Sequence, residues 1–228
     1  MSARASRGDE ANAGGDEAKA DAAGPERARV PLSVVIETER LVLRPYRSSD
    51  VRPLRAFAIE NEEHLRPWSP RPRVPSAARS IVEIAKRVAA QRKLWRDDRG
   101  YAFAVTLRVP DARPGAGPIV GRVALNEVVR GAFQNAYLGY LIGRAWEGRG
   151  LAREAVAAAV DFGLGRAGLH RLQAAIMPHN GRSLALIRAL GLREEGLARG
   201  YLRIDGAWRD HVIFAVTRED WRARAADP

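Results

Sequence analysis

The chain has 228 residues, of which 46% are hydrophobic and 29% are charged, and it carries a formal net charge of +11 and no cysteine. This length fits one domain of ordinary size, and the lack of cysteine excludes disulfides, thiolate metal sites and a cysteine nucleophile. No apolar run approaches the roughly 20 residues that cross a bilayer, and the first residues lack the apolar stretch of a signal peptide, so we expect a cytoplasmic protein.

Residues 1–30 consist mainly of Ala, Gly, Asp, Glu and Arg and have almost no large apolar side chains. Such a segment cannot bury enough apolar surface to offset the entropy of ordering, so we predict a disordered N-terminal tail. The folded domain is predicted at residues 31–222. Its basic surface is expected to attract polyanions such as ribosomal RNA, although scattered arginines are also the ordinary composition of a solvated surface.

Hydrophobic periodicity and turn residues predict a mixed α+β domain with seven strands and four helices. The order is one strand, two helices, three strands, a helix, a strand, a helix and a closing hairpin with an Asp205-Gly206 turn. The strands are predicted at residues 40–44, 101–107, 119–129, 136–142, 169–177, 193–204 and 208–216, and the helices at 51–62, 76–97, 151–164 and 180–190.

Residues 147–152, Glu-Gly-Arg-Gly-Leu-Ala, follow a predicted strand and open a predicted helix. Glycines there let the backbone turn tightly, and the unpaired amides and positive dipole of a helix N-terminus favour a phosphate or pyrophosphate. A plain strand-to-helix turn would have a similar composition. The segment also resembles a Walker A loop, but Arg149 and Gly150 stand where Lys and Ser or Thr are needed, so nucleotide hydrolysis is not indicated.

A second strand-to-helix junction lies at residues 178–183, where Asn180 is a natural helix N-cap. Residues 181–185 are close to the Gly-x-Ser-x-Gly elbow of serine hydrolases, and a later Asp followed by His211 fits the chain order of their triad. A hydrolase is nevertheless disfavoured, because Ala185 replaces the last glycine and the preceding strands do not alternate with helices.

The glycine motif and several flanking stretches resemble the GNAT superfamily of acetyl-CoA-dependent N-acetyltransferases, and within it the RimJ/RimL group that acetylates ribosomal proteins. The family signature Gln/Arg-x-x-Gly-x-Gly/Ala falls on residues 147–152, where Glu147 departs from it and Arg149 could replace the lost charge. The resemblance implies a central, mostly antiparallel twisted sheet of about seven strands flanked by about four helices. Further similar stretches are residues 38–44, 126–131, 137–140, 177–180 and 201–211.

The same resemblance implies that acetyl-CoA is the co-substrate. Its pyrophosphate is expected on the amides of the glycine loop, and its pantetheine arm is expected to pair like an extra strand, with Asn180 on the other side. The implied binding residues are Tyr140, Leu141, Ile142, Gly148, Arg149, Gly150, Leu151, Ala152 and Asn180. No metal is expected, because His64, His170 and His211 are isolated and no spacing such as HExxH occurs.

Two catalytic residues are implied. Ser183 matches the family position whose hydroxyl protonates or stabilises the departing CoA thiolate; a helix serine that bonds the backbone is the alternative. Glu127, on the strand before the cofactor strand, is the candidate general base, with an exposed strand carboxylate as the alternative. Because an α-amine has a pKa of about 7.7–8.0, against about 10.4 for lysine, an enzyme for N-termini needs only a weak base.

The acceptor groove is expected between the loop that joins the first two helices and the closing hairpin. Trp68, Tyr201 and Trp208 are the candidate substrate-binding residues, since their rings could wall a peptide channel. Packing within the fold is the alternative for each of them.

These features predict an enzyme that transfers acetyl from acetyl-CoA to a protein N-terminus, with the N-terminal alanine of a small-subunit ribosomal protein as the expected acceptor. Direct transfer in a ternary complex is predicted, because no cysteine can carry the acetyl group. The alternatives are a ribosome-assembly binding factor with little or no catalysis, and an acetyltransferase of polyamines or aminoglycosides. The last would need an acidic groove, for which only Glu127, Asp205 and Asp210 lie near the expected site.

Overall fold

One sheet of eight strands runs through the described part of the chain. The computed structural model describes residues 29–70 and 80–226, so the predicted tail lies outside it except for its last two residues. The strands are β1 (Ile36–Glu37), β2 (Leu41–Pro45), β3 (Tyr101–Leu107), β4 (Ile119–Val129), β5 (Asn135–Ile142), β6 (Arg171–Ile176), β7 (Arg193–Ile204) and β8 (Ala207–Thr217). Their order across the sheet is β1-β2-β3-β4-β5-β6-β8-β7.

Neighbouring strands are antiparallel except for β5 and β6. These two run parallel and pair over only three positions, from Asn135↔Arg171 to Tyr137↔Gln173. Beyond Tyr137, β5 continues beside β4 as far as Ile142, while β6 continues beside β8. The two strands therefore separate toward their C-terminal ends and leave a gap in the sheet.

Six helices accompany the sheet in the described residues. They are α1 (Val51–Glu60), α2 (Glu62–Leu65), α3 (Ile81–Arg96), α4 (Leu151–Leu164), α5 (Gly181–Ala189) and α6 (Arg218–Ala226). None of them is long and apolar enough to cross a membrane. The predicted mixed class and the mostly antiparallel sheet are confirmed, and the Asp205-Gly206 turn joins β7 to β8 as predicted.

The element counts differ from the prediction by one strand and two helices. β1 has two residues, which is too short for alternation to be detected, and α2 is a single turn in a segment predicted as a loop. α6 has too few apolar residues to show a helical period. α3 begins at Ile81 after Ser80, whose hydroxyl accepts from the Glu83 amide, and its predicted start at residue 76 lies outside the described residues.

Helix α4 contributes much of the core, since nine of its residues are buried. It packs against β2, β4, β5 and β6. Four aromatic rings beside it have centroids 4.9 to 5.7 Å apart, mostly edge to face, an arrangement that adds to the stabilisation from burial. They are Trp95, Tyr101, Phe103 and Phe162. This packing fixes the helix with its N-terminus close to the end of β5.

A buried ion pair ties β2 to the start of α1. The Arg44 guanidinium donates to both Asp50 carboxylate oxygens, at 2.7 and 2.8 Å, and both residues are 4% exposed. Asp50 also accepts from the Arg47 amide at 2.7 Å, and Arg44 donates to the Gly115 carbonyl oxygen at 3.1 Å. Because both charges are satisfied by hydrogen bonds, the pair holds α1 firmly, and the far end of α1 reaches the candidate site.

We expect Asp50→Ala to lower the free energy of unfolding by about 3–5 kcal/mol, because it leaves a guanidinium buried without its partner. The double change Arg44→Met with Asp50→Leu should cost less than this, since no uncompensated charge remains. Urea unfolding followed by circular dichroism measures both effects. A double variant less stable than Asp50→Ala would contradict the assignment.

Candidate active site

The gap between β5 and β6 opens into a cavity of about 920 Å³. Its walls are the end of β5, the loop before α4, the first turns of α4 and α5, and the region of α2. Ten of the predicted site residues line it: Trp68, Tyr140, Leu141, Ile142, Gly148, Gly150, Leu151, Ala152, Asn180 and Ser183. Residues that are up to 115 positions apart in the chain therefore meet around one space.

The glycine loop has the geometry of an anion site. Gly148 and Gly150 have φ angles of 72° and 75°, which glycine adopts without strain. Gly150 is the N-cap of α4, and no side chain caps this end of the helix. The first-turn amides therefore have no acceptor inside the helix, and with the positive end of its dipole they suit a phosphate group.

Two polar contacts that the sequence analysis missed hold this loop in position. The Arg40 guanidinium donates to the Arg149 carbonyl oxygen at 2.8 Å and pairs with the Glu154 carboxylate at 2.7 Å. The side-chain oxygen of the buried Asn61, just after α1, accepts from the Arg144 amide at 2.8 Å. Because each contact joins segments more than 80 residues apart, no local sequence pattern could have revealed it.

Glu147, the departure from the family signature, is paired with two basic side chains. Its carboxylate lies 3.0 Å from His64 Nε2 and accepts a hydrogen bond from the Arg182 guanidinium. Both partners line the large cavity, and Arg153 lines it from α4. The Arg149 guanidinium instead lies 5.0 Å above a tryptophan ring. The charge of Glu147 is therefore compensated, and cations other than Arg149 face the cavity.

Two hydroxyl groups line the cavity opposite the glycine loop. Asn180 caps α5 by accepting from the Ser183 amide at 3.2 Å, and the Ser183 hydroxyl interacts with the Tyr140 hydroxyl. The Tyr140 hydroxyl donates to the Ser183 carbonyl oxygen at 3.4 Å. Burial raises the pKa of Tyr140 to about 12, and the Ser183 side chain acts in the opposite direction. The Tyr140 hydroxyl therefore keeps its proton near neutral pH.

A second cavity, of about 220 Å³, adjoins the first and shares Trp68, Tyr140, Asn180 and Ser183 with it. Strands β4, β5 and β6 line it, and His211 of β8 closes one side. Among residues 29–70 and 80–226, no carboxylate lines it, and no three His, Asp or Glu side chains are grouped so that they could hold a metal ion. The absence of a metal stays a prediction.

Besides Arg149, three predicted site residues line neither cavity. Glu127 is exposed in a bulge of β4, with a φ of 50°. Trp208 is 68% exposed, and the Tyr201 ring lies 5.6 Å from the His211 ring. The roles proposed for these residues stay predictions. Trp68, in contrast, lines both cavities.

Comparison with known proteins identifies the family. The family model described as the acetyltransferase (GNAT) domain matches residues 40–193. The ribosomal protein uS5-alanine N-acetyltransferase of Escherichia coli K12 is 38% identical over 199 residues, which are 86% of this chain and 96% of that protein. The probable N-acetyltransferase YjcK of Bacillus subtilis is 33% identical over 135 residues, which are 59% of this chain and 71% of that protein.

Solved structures agree with this assignment. The ribosomal-protein-S5-alanine acetyltransferase of Vibrio fischeri superposes with a TM-score of 0.74 at 30% identity, covering 82% of this chain and 98% of that one. Mycobacterium smegmatis RimJ in complex with CoA-disulfide superposes with a TM-score of 0.73 at 30% identity, covering 82% and 88%. This chain therefore belongs to the GNAT acetyltransferases, in their RimJ/RimL group, and is an acetyl-CoA-dependent N-acetyltransferase.

Proposed function

We propose that this enzyme acetylates the N-terminal α-amine of a ribosomal protein whose first residue is alanine. The proposal rests on one arrangement, in which the amides of the glycine loop and the second cavity, of about 220 Å³, both adjoin the β5–β6 gap. We take this second cavity, which no described carboxylate lines, as the acceptor cavity. It is supported by the 38% identity to the E. coli enzyme named for the alanine of uS5. A small-subunit ribosomal protein is therefore the expected acceptor.

In the proposed donor site, both backbone groups and side chains contact acetyl-CoA. The pyrophosphate of acetyl-CoA would bind the amides of the glycine loop, including that of Arg149, and the first-turn amides of α4, with Arg153 and Arg182 nearby. Its pantetheine arm would lie along β5, because the backbone groups of β5 that face away from β4 have no strand partner beyond Tyr137. Asn180 would contact the arm from the α5 side.

Transfer is proposed as attack of the neutral amine on the thioester carbonyl carbon in a ternary complex. A carbon–nitrogen bond forms, the carbon–sulfur bond breaks and sulfur leaves as a thiolate. The amine nitrogen releases its surplus proton, and this proton replaces the one that the thiolate takes up. Ser183 is proposed to protonate or stabilise that thiolate, because it lines both cavities and its hydroxyl lies beside that of Tyr140. No acyl-enzyme is needed, and the chain has no cysteine to form one.

The charges of the acceptor cavity argue against small polycationic acceptors. Polyamines and aminoglycosides would be attracted by carboxylates, whereas the cavity contains Arg122 and no carboxylate. A single α-amine at the end of an extended peptide needs no such charge. A binding role in ribosome assembly would depend on the basic surface rather than on this cavity and is compatible with catalysis.

We expect Gly150→Asp to weaken acetyl-CoA binding by about a hundredfold or more. The change places a side chain at a φ of 75° and a negative charge where the phosphates are expected, and two like charges a few ångströms apart repel by about 1–4 kcal/mol. Isothermal titration calorimetry measures the affinity. Gly131→Asp is the matched control, because Gly131 also has positive φ, at 67°, but lines neither cavity. Unchanged affinity in a folded Gly150→Asp variant would refute the loop assignment.

A peptide that begins with Ala and contains an internal lysine should be acetylated at its N-terminus only. At pH 7 the α-amine is roughly a hundredfold more often neutral than the lysine ε-amine, so it needs far less help to lose its proton. Tandem mass spectrometry locates the acetyl group, and release of free CoA thiol gives the rate. Acetylation mainly at the lysine would overturn the proposed acceptor.

A further inference from the structure

His211 is a buried imidazole that faces the acceptor cavity with one nitrogen unengaged. The residue is 3% exposed and lines the cavity together with Ser183 and Tyr140. Its Nδ1 lies 3.0 Å from the Arg209 carbonyl oxygen. A carbonyl oxygen can only accept, so Nδ1 carries the proton and the neutral ring has its lone pair on Nε2. No described residue donates to Nε2.

The other groups around this cavity cannot accept a proton near neutral pH. The remaining titratable side chains that line it, among the described residues, are Arg122, whose guanidinium has no acceptor, and Tyr140, whose raised pKa keeps its proton in place. The charged and titratable groups that face His211 are Asp210 on its own strand, His179 after β6, and Tyr201 on β7.

The surroundings of His211 favour its neutral ring. Burial lowers the pKa of His211, and His179 lowers it further, whereas the bond to the Arg209 carbonyl and the charge of Asp210 raise it. The net shift is downward, so the ring stays neutral at pH 7 and becomes protonated only as the pH falls below the ordinary histidine range of about 6.5. A neutral ring at working pH is what a proton acceptor requires.

We propose that His211 Nε2 accepts the proton that the acceptor ammonium must lose before attack, and that His211 rather than Glu127 is the general base. The inference rests on the proposed amine-acetylating function of this cavity. The ammonium N–H bond breaks and an Nε2–H bond forms, which leaves a neutral amine to attack the thioester carbon. The imidazolium then returns its proton to solvent after the product leaves.

The test is His211→Asn, whose amide nitrogen can take the place of Nδ1 and keep the bond to the Arg209 carbonyl. We expect kcat/KM for the Ala peptide to fall by about a hundredfold at pH 6.5 and the loss to shrink toward pH 9, where the amine is already neutral. Acetyl-CoA affinity by calorimetry should be unchanged. His170→Asn is the matched control, because His170 is exposed, pairs with Glu219 and lines neither cavity.

A loss that is equal at all pH values would show that His211 only supports the structure, and the proposal would fall. It would also fall if Glu127→Gln showed the pH-dependent loss and His211→Asn did not. Failure of the wild-type enzyme to acetylate the Ala peptide would instead refute the proposed acceptor. The His211 comparison would then be made with whichever amine the enzyme does acetylate.

A separate cavity at the opposite end of α4 is lined by arginines. Its volume is about 360 Å³, and one carboxylate, Asp98, is present among its lining residues. α4 has 14 residues and spans about 21 Å, so this cavity lies far from the glycine loop. The lining arginines are Arg29, Arg130, Arg166, Arg218 and Arg222.

Two of these arginines form the fixed wall of the cavity. Arg130 donates to both carboxylate oxygens of Asp98, at 2.6 and 2.7 Å, and to the Ala167 carbonyl oxygen at 3.0 Å. Arg218 donates to the carbonyl oxygens of Gly168 and Leu169, both at 2.7 Å. The single carboxylate is therefore neutralised, and the carbonyls that follow α4 are covered by cations.

The remaining arginines add positive charge from three separate segments. Arg166 and Arg222 are exposed and form no ion pair with any residue in the described ranges, and Arg29 approaches from the segment before β1. Guanidinium groups bind phosphate oxygens through paired N–H donors. Arginines gathered without matching carboxylates repel one another unless an anion lies between them.

We infer that this cavity binds phosphate groups of an RNA backbone. The chain has a net charge of +11. A surface-exposed arginine cluster in such a chain binds a polyanion more tightly than a single anion, since successive phosphates engage several cations at once. The site is independent of the acetyl-CoA site, so a protein whose substrate is a ribosomal component could contact RNA while its catalytic cavity remains open.

The test measures binding of a fluorescent single-stranded RNA of about 20 nucleotides by anisotropy at several salt concentrations. Arg166→Glu should weaken binding and lower the slope of log K against log salt by about 0.7 or more, while acetylation of the Ala peptide is unchanged. Arg52→Glu on α1 changes the net charge equally and is the matched control.

Equal weakening of RNA binding in both variants would show a non-localised charge effect and overturn the proposed site. Displacement of the RNA by equimolar inorganic phosphate would show a small-anion site instead.

Discussion

Strands β5 and β6 share three paired positions before each follows its other neighbour, and the candidate active site lies in the gap that this separation leaves. The end of β5 keeps β4 on one side and has free backbone groups on the other. A linear co-substrate arm can use those groups as a strand would. The two cavities share several lining residues beside this gap, and in the proposed arrangement donor and acceptor meet there.

The core sets the relative position of the site's two halves. Helix α4 is held by the buried aromatic cluster, and its N-terminus is held by Arg40 and Asn61 through contacts to the loop before it. Asn61 is in turn positioned by α1, which the Arg44–Asp50 pair fixes at its other end. The positions of the groups that line the gap therefore depend on polar contacts made by residues outside the gap.

The sequence predicted most of the strands, the glycine loop and the α5 cap, because these depend on residues close together in the chain. Ser183 and Gly150 could be assigned because their motifs are local. His211 was noticed only as an isolated histidine, since its relation to the cavity depends on the pairing of β8 with β6 and on the direction of one side chain. The local surroundings of Glu127 and Arg149 could not be predicted. A β-bulge at Glu127 and the contact of Arg149 with a tryptophan ring depend on residues that the motifs do not include.

The missing side-chain cap at the start of α4 links the stability of this helix to the binding of acetyl-CoA. In most helices a Ser, Thr, Asp or Asn at the N-cap satisfies first-turn amides, whereas here Gly150 leaves them open. The phosphates of acetyl-CoA would supply the missing acceptors, so the co-substrate itself completes the helix. The first turn of α4 is then less stable in the free enzyme than in the complex with acetyl-CoA. The free energy of unfolding of the whole fold therefore increases with the concentration of acetyl-CoA.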